Sequence, residues 1–326
     1  MRAVIIETFG GPEVMAFREL PVPEPGTGQI RIKVAFTALN PLDVNVRRGL
    51  MKWRMPEMPV TLGYEYSGIV DAVGPGVPDT MMGSRVGSLG EWGGYADYAL
   101  ATAAKVTPIP DGMPMDLGAV YFSTTETAWQ ALHTVGRMRP GDIVVVHSAA
   151  GAIGIVTTQI ARDAGATVIG LVGSDEKIAW AKPYGADHLI NYRADPAWPA
   201  TVKRITGRGA DLIVDGVQGP DSLKNLDALA PLGQVVYLGA SGGPSPDAPI
   251  GKLIAGSAGI RGLVVYDAMN RTQGAEIPEI QAKIMSGAWR YPLNPAVPLA
   301  DVVAAHADFE NRALPGRTIF RVATDI

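Results

Sequence analysis

From residue 124 onward, runs of apolar residues alternate with helical stretches, and most of those runs have no polar side to turn toward water. Residues 143–147, 167–172, 188–190, 212–214, 235–238 and 260–265 read as strands, with helices expected over 152–164, 175–182, 197–206 and 221–229. A strand that is apolar on both faces must be covered on both, which a parallel sheet between two helix layers achieves. The expected fold of this part is therefore α/β, a Rossmann-type doubly wound parallel sheet. The first third follows another logic. Pro and Gly punctuate short runs at 29–36, 67–73, 85–89 and 95–100, a spacing that suggests an irregular β-barrel or sandwich. Near the end, a helix is expected over 299–313, and a last strand over 318–322 is placed to return to the first domain.

A length of 326 residues fits two domains at about 150 residues each. Complete absence of Cys removes disulfides, thiolate nucleophiles, iron–sulfur clusters and Cys-containing zinc sites. His133, His147, His188 and His306 are scattered, none at ligand spacing with another, so no metal site is expected. With 28 Lys plus Arg against 32 Asp plus Glu, the net charge of −4 leaves no surplus to neutralise phosphates, and nucleic-acid binding is not expected. Residues 143–161 are uncharged and about as long as a membrane span, yet His147, Ser148, Thr157, Thr158, Gln159 and a Gly-rich turn make them strand, loop and helix. No long apolar stretch follows Arg2, so a cytoplasmic location without membrane attachment is expected.

The chemistry begins after strand 143–147, in Ser148-Ala149-Ala150-Gly151-Ala152-Ile153-Gly154. This is a variant of the dinucleotide fingerprint G-x-G-x-x-G with Ala149 at its first Gly position. Gly151 lets backbone approach a pyrophosphate, Gly154 lets the helix pack on the strand, and the amides of Ala152, Ile153 and Gly154 face phosphate oxygens at the positive helix end. The next strand ends at Gly173-Ser174 with no carboxylate for a ribose diol, while Lys177 follows and Tyr192 closes the strand after, with Arg193 beside it. A cation with hydroxyl donors suits a ribose 2′-phosphate, hence NADPH over NADH. Asp175 and Glu176 argue the other way, unless as first-turn helix residues they serve the local dipole.

Gly10-Gly11-Pro12-Glu13-Val14, Asn40-Pro41-Leu42-Asp43, the run from Leu62-Gly63-Tyr64-Glu65 to Val70, Gly93-Gly94-Tyr95-Ala96 and the Ala-rich fingerprint fall in order along the chain. In this the chain resembles the quinone oxidoreductase (zeta-crystallin-like) branch of the medium-chain dehydrogenase/reductases. The resemblance implies a GroES-like β domain (residues 1–123 plus 267–326) and a Rossmann NADPH-binding domain (124–266), with the active site in a cleft and a homodimer formed through the edge strand 260–265. It implies cofactor contacts at Asn40, Leu42, Asp43, Thr127, Ala152, Ile153, Gly173, Ser174, Lys177, Tyr192, Val217, Gly239, Ser241, Val264, Val265 and Arg312. Among these, Val264 and Val265 would offer backbone groups to the carboxamide and Arg312 would reach a phosphate.

Zinc-dependent alcohol dehydrogenases of the superfamily carry Cys where Asn40 stands and His where Tyr64 stands. Without those ligands, alcohol oxidation fits poorly and reduction of a conjugated acceptor fits better. The expected activity is zinc-independent hydride transfer from NADPH to a quinone or enone, with Tyr64, Asn40, Asp43 and Thr127 as catalytic candidates. Tyr64 reads as a hydrogen-bond donor or a wall residue, Asp43 as a proton relay or a cap, and Glu65 as structural. Rival readings are an enoyl-thioester or alkenal reductase and a noncatalytic NADPH-binding redox sensor. The basic stretch Arg47, Arg48, Lys52, Arg54 reads as a solvated face, or as an anionic landing site under the thioester reading.

Overall fold

The computed structural model describes residues 1–51, 57–243, 245–311 and 313–323, Leu89 by its backbone alone. It divides into two compact units, Met1–Ser123 with Leu293–Ile326, and Thr124–Pro292.

In the first unit, alternation along Gln29–Ala38 sends Ile30, Ile32 and Val34 into the core and leaves Arg31 and Lys33 partly exposed, which makes this the central strand. It pairs antiparallel with Glu65–Val73, Tyr98–Thr102 and Ile319–Arg321, so the C-terminal strand does return to this unit. The sheet continues through Arg85–Leu89 to Val106–Pro108, and a smaller sheet joins Ala16–Glu19, Arg2–Ile6 and Val60–Thr61. Ile6, Ile30, Leu62, Tyr66, Tyr95 and Phe320 are fully buried in one core. The strand expected over 95–100 starts later, at Tyr98, because the Tyr95 amide donates to the Leu62 carbonyl at 2.9 Å in a separate contact.

The second unit contains a six-stranded parallel sheet among the described residues. Its order is His188–Asn191, Thr167–Val172, Ile143–Val146, Ala210–Asp215, Leu229–Tyr237 and Gly259–Gly262. In sequence order that is 3-2-1-4-5-6, the dinucleotide-binding arrangement, with the switch point beside Ile143–Val146. Ile143–Val146 is buried along its whole length, as its lack of a polar side requires. The uncharged stretch resolves into this strand, a turn and the helix Ala152–Asp163, and no described helix is long and apolar enough to cross a membrane.

Two expectations need correction. The strand expected over 260–265 ends at Gly262, because Val264 caps a helix, Val265–Thr272, and its carbonyl accepts from the Asp267 amide at 3.1 Å. The second boundary falls after Pro292 rather than after residue 266. Residues 267–292 belong with the sheet unit because Gln130 bonds Glu276 at 2.7 Å, Lys283 pairs with Asp163 at 2.6 Å, and Gln159 bonds both backbone groups of Arg290.

Candidate functional site

In the fingerprint turn, Ser148 adopts φ +50° and its carbonyl accepts from the Gly151 amide at 2.8 Å. A Cβ at Gly154 would overlap that same carbonyl, so only glycine fits. The methyl of Ala149 is accommodated by Gly170 in the neighbouring strand, where a Cβ would lie 2.7 Å from it. Gly170 thus leaves room for the methyl that stands at the first glycine position of the fingerprint, a partnership invisible in the local motif. No described side chain caps Gly151 at the start of helix Ala152–Asp163, and the first-turn amides of Ala152, Ile153 and Gly154 have no intrahelical acceptor.

At the next strand ends, Ser174 caps helix Asp175–Ala181, its Oγ accepting from the Lys177 amide at 3.4 Å. The Tyr192 amide donates to the Val172 carbonyl at 3.0 Å, joining this corner to its neighbour. A Cβ at Gly173 would lie 3.2 Å from the Tyr192 hydroxyl and 3.6 Å from Arg193 Nε, so both side chains border that glycine. Lys177 is half-buried one turn into the helix. The two acidic residues are tied back. Asn191 Nδ2 donates to Asp175 at 2.9 Å, and the Ser174 hydroxyl holds exposed Glu176 below the usual carboxylate range. The structure therefore brings Gly173, Tyr192 and Arg193 together at one corner, with Ser174 next to it and holding the Lys177 amide.

Val217, Gly239 and Ser241 lie on two adjoining loops. Asp215 Oδ1 accepts from the amides of Val217 and Gln218, Gly242 donates to the Val217 carbonyl at 2.7 Å, and Ser241 Oγ donates to the Gly216 carbonyl at 3.3 Å. Thr127 is half-buried in helix Tyr121–Trp129. Arg312 lies outside the described residues, as do Lys52 and Arg54.

In the first unit, Asn40 caps helix Pro41–Arg47, its Oδ1 accepting from the Leu42 amide at 2.8 Å. The capping box is completed by the Asn40 amide, which donates to Asp43 Oδ2 at 2.9 Å. Asp43 Oδ1 accepts from the amides of Gly63 and Tyr64 at 3.0 and 3.2 Å. Both Asp43 oxygens are thus engaged with backbone, and burial pushes its carboxyl up to about 6 against those bonds and the charge of Arg317. Asn40 Nδ2 donates to Glu65 Oε1, which also accepts from the Ser123 hydroxyl, while Glu65 Oε2 pairs with Arg317. Burial lowers the Arg317 guanidinium to about 10. Glu65 is accordingly the hub of this cluster, and Tyr64 packs its ring against Trp92.

The basic stretch is not a uniform solvated face. Arg47 is fully buried, donates to the Gly10 carbonyl at 2.8 Å and pairs with Glu310. Asn40 and Asp43 spend their oxygens on backbone amides, no Cys exists, and no described group of three His, Asp or Glu is placed to hold a metal ion.

Comparisons with known proteins fall on both units. Residues 26–111 match the alcohol dehydrogenase GroES-like domain and residues 152–281 the zinc-binding dehydrogenase family. The chain is 32% identical to a quinone oxidoreductase of Sus scrofa, covering 98% of this chain and 97% of the relative. It is equally 32% identical to a 2-haloacrylate reductase of a Burkholderia species, covering 97% and 98%. Its structure superposes on the Escherichia coli quinone oxidoreductase complexed with NADPH at a TM-score of 0.90, with 28% identity over 99% of this chain and 100% of that one. With whole-length likeness in sequence and a shared pair of domains, the chain belongs to the quinone oxidoreductase branch of the medium-chain dehydrogenase/reductase superfamily.

Proposed function

We propose that the protein is an NADPH-dependent oxidoreductase that reduces a quinone or another conjugated carbonyl without zinc, acting in the cytoplasm as a homodimer. The observation that carries the cofactor reading is the corner at Gly173 and Ser174, where Tyr192 and Arg193 border the site and both nearby carboxylates are tied back. Bound there, NADPH supplies a hydride for the conjugated carbon of the acceptor.

The chain does the rest. The amides of Ala152, Ile153 and Gly154 would hold the pyrophosphate, and Lys177 and Tyr192, beside Ser174 at the head of its helix, would hold the 2′-phosphate. Negative charge on the reduced acceptor is spread by conjugation, so no Lewis acid is required, in keeping with the donor set at Asn40 and Asp43. The proton that completes reduction comes from solvent or from the Tyr64 hydroxyl.

Support for the dimer comes from Gly259–Gly262, which pairs on one side with Leu229–Tyr237 and lies at the sheet edge, and from exposed Ile250, Ile254 and Val264 nearby in sequence. Sedimentation at twice the monomer mass is expected. The 2-haloacrylate reductase likeness favours a second reading, reduction of a carbon–carbon double bond beside a carboxyl group. Burial of Arg47 removes one cation from the landing site that the thioester reading needs.

The test is oxidation of NADPH, with NADH beside it, on 1,4-benzoquinone, 9,10-phenanthrenequinone, trans-2-hexenal, an enoyl thioester and 2-chloroacrylate. Rapid turnover of the quinones with NADPH is expected. Binding of NADPH without turnover on any acceptor would replace the reductase by the redox sensor. Lys177→Ala is expected to raise KM for NADPH roughly 10- to 100-fold, the worth of a charge-assisted contact, and to leave KM for NADH within about twofold. Equal effects on both cofactors would remove Lys177 from the 2′-phosphate site.

A further inference from the structure

Trp92 sits in a short loop that the protein holds from both flanks. Before it, the Glu91 carboxylate accepts from the Thr102 amide and from the Thr102 hydroxyl at 2.6 Å, with the Lys105 ammonium 3.5 Å away. After it, the amides of Gly94 and Tyr95 donate to the carbonyls of Gly63 and Leu62, each at 2.9 Å. The two backbones touch so closely that a Cβ on Gly63, which has φ +92°, would overlap the Tyr95 amide. A Cβ on Gly94 would fall 2.6 Å from the Tyr66 ring and 2.8 Å from Thr37 Oγ1. This double clamp sets the indole against Tyr64, with ring centroids 5.1 Å apart and planes inclined by 52°. Tyr64 is only 6% exposed, whereas Trp92, packed on the edge of the core, is half-buried. The same Tyr64 is bound through its amide to Asp43, which in turn caps Asn40. The aromatic pair thereby joins the Trp92 loop to Tyr64, whose amide bonds the candidate residue Asp43.

A large indole held by its loop on both sides has little conformational freedom left to lose when a flat molecule stacks on it. We propose that Trp92, backed by Tyr64, is a specificity-determining residue that stacks the ring system of the acceptor and directs the enzyme toward planar, polycyclic quinones. This deepens the quinone-reductase reading and rests on it. A planar acceptor lying parallel to the indole gains the offset stacking that aromatic quadrupoles favour. A linear enal has no π-face of comparable size and gains little from the pair. Trp92 touches no proton or hydride in this role, so its signature lies in acceptor binding rather than in turnover at saturation.

Two variants separate the π-face from mere apolar bulk. Trp92→Leu keeps an apolar side chain and removes the face, whereas Trp92→Phe keeps a face. In calorimetric titration without NADPH, Trp92→Leu is expected to weaken binding of 9,10-phenanthrenequinone by about three- to tenfold, and Trp92→Phe to recover most of the loss. In steady state the same loss appears in KM for that quinone with kcat unchanged, while KM for trans-2-hexenal stays within about twofold. An unchanged affinity for 9,10-phenanthrenequinone in a folded Trp92→Leu protein overturns the proposal, as does an equal loss for quinone and enal. Failure of the wild-type protein to reduce any quinone overturns the broader reading instead, and the titration still decides whether Trp92 binds the ring.

Discussion

Replacing Arg317 with leucine is expected to cost about 3–5 kcal/mol of stability, because it leaves the Glu65 carboxylate buried without its countercharge. Glu65 is fully buried and Arg317 is 7% exposed, so neither can turn to water when the other is lost. Glu65 also anchors Asn40 and Ser123, which means the damage spreads to the start of helix Pro41–Arg47. The double variant Glu65→Gln, Arg317→Leu should recover more than half of the loss. Its amide oxygen still accepts from Asn40 and Ser123, the Glu65 charge is gone, and Asp43, which also feels Arg317, keeps its three backbone amides. Urea unfolding of both single variants, the double and the parent gives the coupling directly, expected at about 2 kcal/mol or more. If the two single losses simply add, the buried pair is not what holds this cluster together.

That cluster also marks where the sequence stops being informative. The alternation of apolar strands and helices, the fingerprint turn and the hydroxyl-rich ends of the second and third strands of the sheet are local patterns, and each is legible within about ten residues. Arg47 is not. On its helix it reads as one member of a basic stretch, and only Glu310, 263 positions away, together with the Gly10 carbonyl explains why it is buried. Glu65 has the same difficulty, since its partners Asn40, Ser123 and Arg317 come from three separate parts of the chain. The second unit boundary was hidden for a related reason. Helices Val265–Thr272 and Ile277–Met285 have ordinary amphipathic sequences, and their allegiance is decided by polar bonds such as Gln130 to Glu276 across 146 positions. Ala149 in place of a fingerprint glycine is explained only by Gly170 in the next strand, which a motif written along one segment cannot contain. Local periodicity reports which faces are apolar. It does not report which buried charge meets which.

Glu126→Gln is expected to flatten the alkaline side of the stability curve. Glu126 is buried in helix Tyr121–Trp129, its Oε2 accepting from Gln130 Nε2 at 3.2 Å, and Gln130 also reaches Glu276, which Thr272 bonds at 2.8 Å. Burial pushes the Glu126 carboxyl up to about 8, the Gln130 amide opposes this and the charge of Glu276 adds to it. In the unfolded chain the same carboxyl titrates near ~4.3. Between those values the unfolded state has released its proton while the native state keeps it, so stability falls as pH rises from about 4 to 8 and is level above that. The total is on the order of 5 kcal/mol, with a smaller contribution of the same sign from Asp43 between about 4 and 6. His306 works in the opposite direction. Burial and the charge of Arg47 lower its imidazole to about 3, so its contribution is full above the unfolded value near ~6.5 and is lost as pH falls toward 3. A glutamine at position 126 stays neutral and keeps the acceptor for Gln130. Urea unfolding from pH 5 to pH 9 should therefore show the variant drawing ahead of the parent as pH rises, by a few kcal/mol at pH 8 and above, with acid limbs of the same slope. Parallel curves over the whole range would mean that Glu126 is already ionised in the native protein and that its partners, rather than a retained proton, neutralise the cost of burying it.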